Sequence, residues 1–170
     1  INHILKDDPG YQTLSKKTLR GYLTGFIDLI CEYNGQYFVM DYKSNALENY
    51  KQQNLVDAMR EHNYGLQYWI YTVVLHQYLK NRLPDYSYEE HIGGIKYLFV
   101  RGMDESQSTG GVYEIKPEFS KVEQLAKLFI AWLLKLERLV TEPPSLKTWT
   151  SLQFFFLVAP NTSKQDQGIV

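Results

Sequence analysis

Asn34-Gly35, set between two β-prone runs, constrains the fold of this chain more than any other feature. The run before it ends Asp28-Leu29-Ile30-Cys31-Glu32-Tyr33, and the run after it reads Gln36-Tyr37-Phe38-Val39-Met40-Asp41-Tyr42-Lys43. Such a dipeptide predicts a two-residue hairpin turn, because both central positions of a type I′ turn need positive φ. Leu29 then falls opposite Met40, and Asp28 opposite Asp41. By parity the aspartates form a non-hydrogen-bonded pair, the closer kind, with Cα atoms roughly 4.5 Å apart. A three-residue turn would shift the parity and separate them.

Period-2 alternation sorts the hairpin into two faces. Ile27, Leu29, Cys31, Phe38, Met40 and Tyr42 share one, which reads as ordinary core. Asp28, Asp41 and Lys43 share the other. Like charges directly opposite one another destabilise a sheet, so this pair calls for a neutralising partner. A hard divalent cation such as Mg²⁺ would serve, since it prefers carboxylate and carbonyl oxygens. On this reading one of the two carboxyls, without metal, has a raised pKa, and Lys43 partly offsets the repulsion. The plainer alternative is a solvated strand on which Asp41 and Lys43 form a surface pair contributing about 0–1 kcal/mol.

Pattern along the rest of the chain predicts further elements. A first strand covers 19–33 and a second 36–43. Helices cover 52–62 and 65–80, a buried strand 92–100, a short strand 111–115 and an amphipathic helix 118–140. Residues 1–18 carry weak pattern, and the segment after Pro143-Pro144 has no place in the scheme. The order β-β-α-α-β-α, with a helical crossover, predicts an α/β fold with a mixed sheet flanked by helices.

With 170 residues, 44% of them hydrophobic, the chain suits one domain with a sizeable core. No apolar run reaches the roughly 18 residues a membrane span needs, and Phe154–Val158 is far too short. Cys31 is the only cysteine, which excludes a disulfide framework and a cysteine zinc site and fits a reducing cytoplasm. A net charge of −1 gives no global attraction to nucleic acid, so any such binding needs a local patch. Lys16, Lys17 and Arg20 form one candidate cluster, otherwise simply solvated. A first residue Ile rather than Met suggests a piece of a longer protein. His62, His76 and His91 read as surface or packing residues.

Several stretches in order are similar to those of the RecB nuclease-domain family, within the PD-(D/E)xK nuclease superfamily. They are Gly25-Phe26-Ile27-Asp28-Leu29, Asp41-Tyr42-Lys43-Ser44-Asn45, Tyr64-Gly65-Leu66-Gln67-Tyr68 with Tyr71-Thr72, and Tyr97-Leu98-Phe99-Val100-Arg101-Gly102. The resemblance covers roughly residues 19–140 and frames a nuclease domain over 1–140. It leaves residues 141–170 as a C-terminal tail. It implies a restriction-endonuclease-like fold. It also implies Mg²⁺-dependent hydrolysis of DNA, as an exodeoxyribonuclease working with RecC-like and RecD-like subunits in double-strand-break repair and recombination.

By the same resemblance Asp28 and Asp41 are metal ligands, with the backbone carbonyl of Tyr42 a third. Lys43 is the catalytic lysine. Gln67 and Tyr71 form the family's Q-x-x-x-Y box, which orients the lysine and the DNA backbone. The chain departs from the family in lacking its upstream histidine ligand and upstream acidic residue. His3, Asp7 and Asp8 do not match those contexts, so the metal site reads as incomplete. No Walker-type phosphate loop occurs. The rival expectation is a catalytically silent scaffold or DNA-contact module of the same fold.

Overall fold

The computed structural model describes residues 1–15, 21–104, 110–133 and 152–158. In chain order the elements are α1 (Asn2–Leu5), β1 (Gly21–Ile27), β2 (Leu29–Tyr33), β3 (Gln36–Lys43), α2 (Gln52–Glu61) and α3 (Tyr64–Arg82). They continue with α4 (Tyr88–His91), β4 (Ile92–Phe99), β5 (Val112–Ile115), α5 (Phe119–Leu133) and β6 (Leu152–Val158). The hairpin turn forms as the dipeptide predicts, with φ of 52° at Asn34 and 79° at Gly35. Its register pairs Tyr33 with Gln36 and runs to Leu29 with Met40.

One long strand was expected before the turn. The structure breaks it at Asp28, which forms a bend between β1 and β2. β2 stays in a four-stranded sheet of order β2-β3-β4-β5. β1 leaves that sheet and pairs antiparallel with β6, Gly21 with Val158 through Ile27 with Leu152. The segment after Pro144 therefore holds a strand that the sequence pattern did not place.

The four-stranded sheet is mixed. β2–β3 and β4–β5 are antiparallel, while β3–β4 is parallel and spanned by the α2–α3 crossover. This is an α/β arrangement of the restriction-endonuclease-like kind.

The expected core face is corrected, apart from Ile27, which is wholly buried. β3 and β4 pair Val39 with Ile95, Asp41 with Tyr97 and Lys43 with Phe99, so these six share a face. Val39, Ile95, Tyr97 and Phe99 are wholly buried, and Asp41 is 2% exposed. Phe38 and Met40 are only half-buried, and Tyr42 is 51% exposed. The helical layer thus packs on the carboxylate side. The reason lies in β4 and α3: Ile95, Tyr97 and Phe99 are buried on that side of β4, where Tyr97 meets Tyr64, Gln67 and Tyr68 of α3, and the hairpin's own alternation is overruled.

The N-terminal segment docks on α3. Its Gly10 carbonyl accepts the Gly65 N–H at 2.9 Å, and a Cβ at Gly65 would run into that carbonyl. Asp8, 7% exposed, accepts hydrogen bonds from the Gly10 N–H, the Trp69 Nε1–H (3.0 Å each) and the Tyr68 hydroxyl. Among the described residues no helix is long and apolar enough to cross a membrane.

Candidate active site

The bend at Asp28 opens one edge of β3. Antiparallel pairing stops at Met40, and on that side Asp41–Lys43 have no strand partner among the described pairings. By ladder parity the Tyr42 N–H would donate to a carbonyl of the departing strand. The Asp28 carboxylate takes its place, with Oδ2 accepting the Tyr42 N–H at 3.0 Å. The N–H and C=O of one residue project to the same side of a strand, so the Tyr42 carbonyl faces the same opening.

Asp41 lies across this opening with a different environment. Asp28 is exposed, whereas Asp41 is buried. The Lys43 ammonium forms an ion pair with Asp41 Oδ2, yet that buried oxygen receives no hydrogen bond of ordinary geometry. Burial pushes the Asp41 carboxyl above the usual carboxylate range, Lys43 opposes the rise, and Asp28 adds a smaller push upward. Desolvation, rather than the expected mutual repulsion, is thus the main cause.

Lys43 connects the strand to α3. Its Nζ donates to Gln67 Oε1 at 3.1 Å, and Gln67 Nε2 donates to the Tyr71 hydroxyl at 2.7 Å. The Tyr71 hydroxyl in turn donates to the Phe26 carbonyl at 2.5 Å, two residues before Asp28. Gln67 and Tyr71 stand one turn apart on α3, which puts both on the face toward β3. Tyr97, opposite Asp41, donates to the same Gln67 oxygen at 2.9 Å. Burial, reinforced by Asp41, pushes the Tyr71 and Tyr97 phenols well above their ordinary value, so both stay protonated donors. With two donors on its oxygen and one acceptor at its nitrogen, the Gln67 amide has one consistent orientation.

The structure therefore gathers Asp28, Asp41, Tyr42, Lys43, Gln67 and Tyr71 around one opening. Sequence reasoning missed Tyr64, Tyr97 and Asn45. The Lys43 ammonium lies 4.0 Å from the Tyr64 ring centroid and 5.1 Å from that of Tyr97. The Tyr64 hydroxyl donates to Asn45 Oδ1 at 3.3 Å. The spacing of Tyr64 to Gln67 and Tyr71, three and seven residues, was a usable signal for Tyr64. Tyr97 needed the parallel register, which no local pattern reveals.

The remaining candidates fall elsewhere. His3 is exposed on α1, and the Asp8 oxygens are taken up by Gly10, Tyr68 and Trp69. His76 is a packing residue, 2% exposed, with Nδ1 2.8 Å from the Tyr86 hydroxyl and Nε2 3.0 Å from Glu123 Oε1. His62 is exposed beside Asn45, and His91 is half-buried against the Ser87 backbone. Lys16, Lys17 and Arg20 lie outside the described residues.

Among the described residues no three His, Cys, Asp or Glu side chains converge as a metal cage. The donor chemistry at the opening still suits a hard cation. It offers two carboxylates and a carbonyl, with a single ammonium, that of Lys43, beside the two carboxylates.

The sequence model for the PD-(D/E)XK nuclease superfamily matches residues 2–148. The RecBCD enzyme subunit RecB of Escherichia coli (strain K12) is 41% identical over 130 residues, 74% of this chain and 11% of that protein. The subunit of the same name from Mycobacterium tuberculosis (strain H37Rv) is 43% identical over 115 residues, 60% of this chain and 10% of that protein. That of Haemophilus influenzae is 37% identical over 135 residues, 76% of this chain and 11% of that protein. The chain thus spans about a tenth of the length of the curated relatives it matches.

Proposed function

The chain belongs to the PD-(D/E)XK nuclease superfamily, and we propose that it is the DNA-hydrolysing domain of a RecB-like subunit. The observation that carries this reading is the meeting of the buried Asp41–Lys43 ion pair, the exposed Asp28 carboxylate and the Tyr42 backbone at the open edge of β3. One ammonium faces two carboxylates there, so a bound cation would complete the charge balance.

Asp28, Asp41 and the Tyr42 carbonyl would hold Mg²⁺. When bound, such a cation supplies Lewis acidity toward the scissile phosphate and a nucleophilic water at neutral pH. The protein's own groups do the rest. Lys43 stands at the opening beside Asp41, and its charge stabilises the negative charge that builds on the phosphoryl oxygens. Gln67 fixes the direction of the lysine, and Tyr71 fixes Gln67. Water adds to phosphorus, the P–O bond to the departing nucleotide breaks, and the leaving oxygen takes up a proton. Contacts of this kind are to phosphate, so cleavage without sequence preference follows.

Exonucleolytic action, RecC-like and RecD-like partners, a role in double-strand-break repair and a place in the cytoplasm extend the same reading. The partners and the repair role draw on the relatives' name, RecBCD enzyme subunit RecB; exonucleolytic action draws on the resemblance of the motifs, and the cytoplasm on the single cysteine. The test is degradation of linear DNA by the whole protein that carries this chain, with Mg²⁺ and with chelator. Asp41→Ala and Lys43→Ala should each lower the cleavage rate at least about 100-fold, with Mg²⁺ binding retained in Lys43→Ala. Near wild-type cleavage by Asp41→Ala refutes the assignment. The second reading, a silent scaffold of the same fold, is favoured by the lack of a three-residue cage among the described residues. Absence of metal-dependent cleavage in the whole protein would select it.

A further inference from the structure

We propose that Tyr64 and Tyr97 are positioning residues for Lys43: their stacked rings form an aromatic floor that holds the ammonium where Gln67 and Asp41 can aim it. The inference rests on the reading of Lys43 as the working lysine and adds a second support for it, distinct from the Gln67–Tyr71 pair.

A lysine has a flexible four-carbon stem, so two polar contacts leave its head free to swing out of their plane. Here the third direction is closed by rings. Lys43 Nζ sits 4.0 Å over Tyr64 and 5.1 Å from the Tyr97 centroid, distances at which a ring face attracts a cation. The two rings stack on each other, 5.7 Å apart and 23° from parallel.

Both rings are themselves fixed. The Tyr97 hydroxyl reaches Gln67 Oε1 at 2.9 Å and the Tyr64 carbonyl at 3.3 Å. Tyr97 is wholly buried, with Tyr68 edge-on to it at 6.4 Å. The Tyr64 hydroxyl is tied to Asn45, two residues beyond Lys43 on the same chain. His62 stacks on Tyr64 at 5.2 Å, with its Nε2 2.9 Å from the Asn45 amide nitrogen. Rings held at both hydroxyls and stacked in series form a rigid surface. An aliphatic residue at position 64 would fill the space and offer the cation nothing.

The experiment separates shape from charge. In the whole protein, Tyr64→Leu should lower kcat for Mg²⁺-dependent DNA cleavage about tenfold or more, with KM for DNA unchanged. Tyr64→Phe keeps the ring and should stay within about twofold of wild type. Mono-, di- and trifluorophenylalanine at position 64 keep the shape and progressively drain the ring face. The logarithm of kcat should fall in step with the number of fluorines. A flat fluorine series, or Tyr64→Leu at wild-type kcat, overturns the proposal. In NMR of the chain itself, the Lys43 Hε resonances should be displaced upfield and move back in Tyr64→Leu; ordinary random-coil shifts in the wild type would also overturn it. Lys43→Ala keeps the two levels apart. If it cleaves normally, the lysine assignment and this inference both fall. If it is inactive while the fluorine series is flat, this inference alone falls.

Discussion

Replacing Asp8 by alanine tests whether the N-terminal segment is part of the fold that supports the site. The Asp8 carboxylate sits in a buried pocket and accepts from three donors: the Gly10 N–H, Trp69 Nε1–H and the Tyr68 hydroxyl. Tyr68 and Trp69 are 0% and 2% exposed, so water has little access to the donors that alanine would strand. A hydrogen bond to a charged group contributes about 1.5–3 kcal/mol, and a stranded buried donor costs about 1–3 kcal/mol. With partial relaxation of the pocket, Asp8→Ala should lose about 3–5 kcal/mol, a large part of a total stability of about 5–15 kcal/mol. At roughly 2–4 °C per kcal/mol for a chain of this size, Tm should fall by about 6–20 °C. Asp8→Asn keeps one acceptor oxygen but turns an amide N–H toward a donor, so it should lose about half as much. Urea denaturation followed by far-UV circular dichroism, with matching calorimetric scans, reads both values. A loss below about 1 kcal/mol for Asp8→Ala would show that the three donors find other partners. Mg²⁺ affinity should be unaffected in both variants below their melting range, since Asp8 serves the fold and not the cation.

Gly65→Ala places a methyl against the Gly10 carbonyl and should cost about 1–3 kcal/mol in urea denaturation. An unchanged midpoint would show that the N-terminal segment moves freely off α3. His76 has its pKa lowered by burial, with Glu123 pulling the other way and Lys80 adding to the depression. Folding therefore favours the neutral ring. That contribution is fully present above the unfolded pKa near 6.5 and is lost as pH falls through the folded value. Tm should thus drop between pH 7.5 and pH 5, and His76→Gln should flatten the drop, whereas parallel pH profiles would contradict the assignment. By calorimetry the isolated chain should bind Mg²⁺ weakly and cleave little, because two carboxylates and one carbonyl leave several octahedral positions to water. Tight stoichiometric binding with robust cleavage would show that these three donors suffice.

The hairpin was legible because its information is local: Asn34-Gly35 dictates the turn, and the turn dictates the register down to Leu29. The helical crossover and the strand at 92–99 were legible from periodicity and β-branched content. Which face of the hairpin is buried was not legible. That depends on where α3 lands, and Asp41 is a carboxylate on the side that sequence alternation assigns to solvent. Asp8 escaped for a similar reason, since a polar side chain is buried only when distant residues such as Trp69 bring partners to it. The bend at Asp28 and the β1–β6 pairing come from opposite ends of the sequence, and no window along the chain holds both. At the candidate site the spacing singled out Asp28, Asp41 and Lys43, and the family resemblance supplied Gln67 and Tyr71. The aromatic surroundings of Lys43 were not legible as such, because Tyr97 lies on β4 and reaches the lysine only through the parallel register with β3.

The contacts around the opening close on themselves. Asp41 meets Lys43, Lys43 meets Gln67, Gln67 meets Tyr71, and Tyr71 holds the carbonyl of Phe26. Two residues on, Asp28 reaches back to the backbone of Tyr42, which adjoins Asp41. A linear series of links fails at any single break, since everything beyond the break swings free. A circuit does not: with one link cut, each member remains tethered from its other side. Two cuts on opposite arcs release a whole segment at once. The placement of the members, as distinct from their chemistry, therefore tolerates the loss of one link and fails on the loss of two, independent of how strong any one link is.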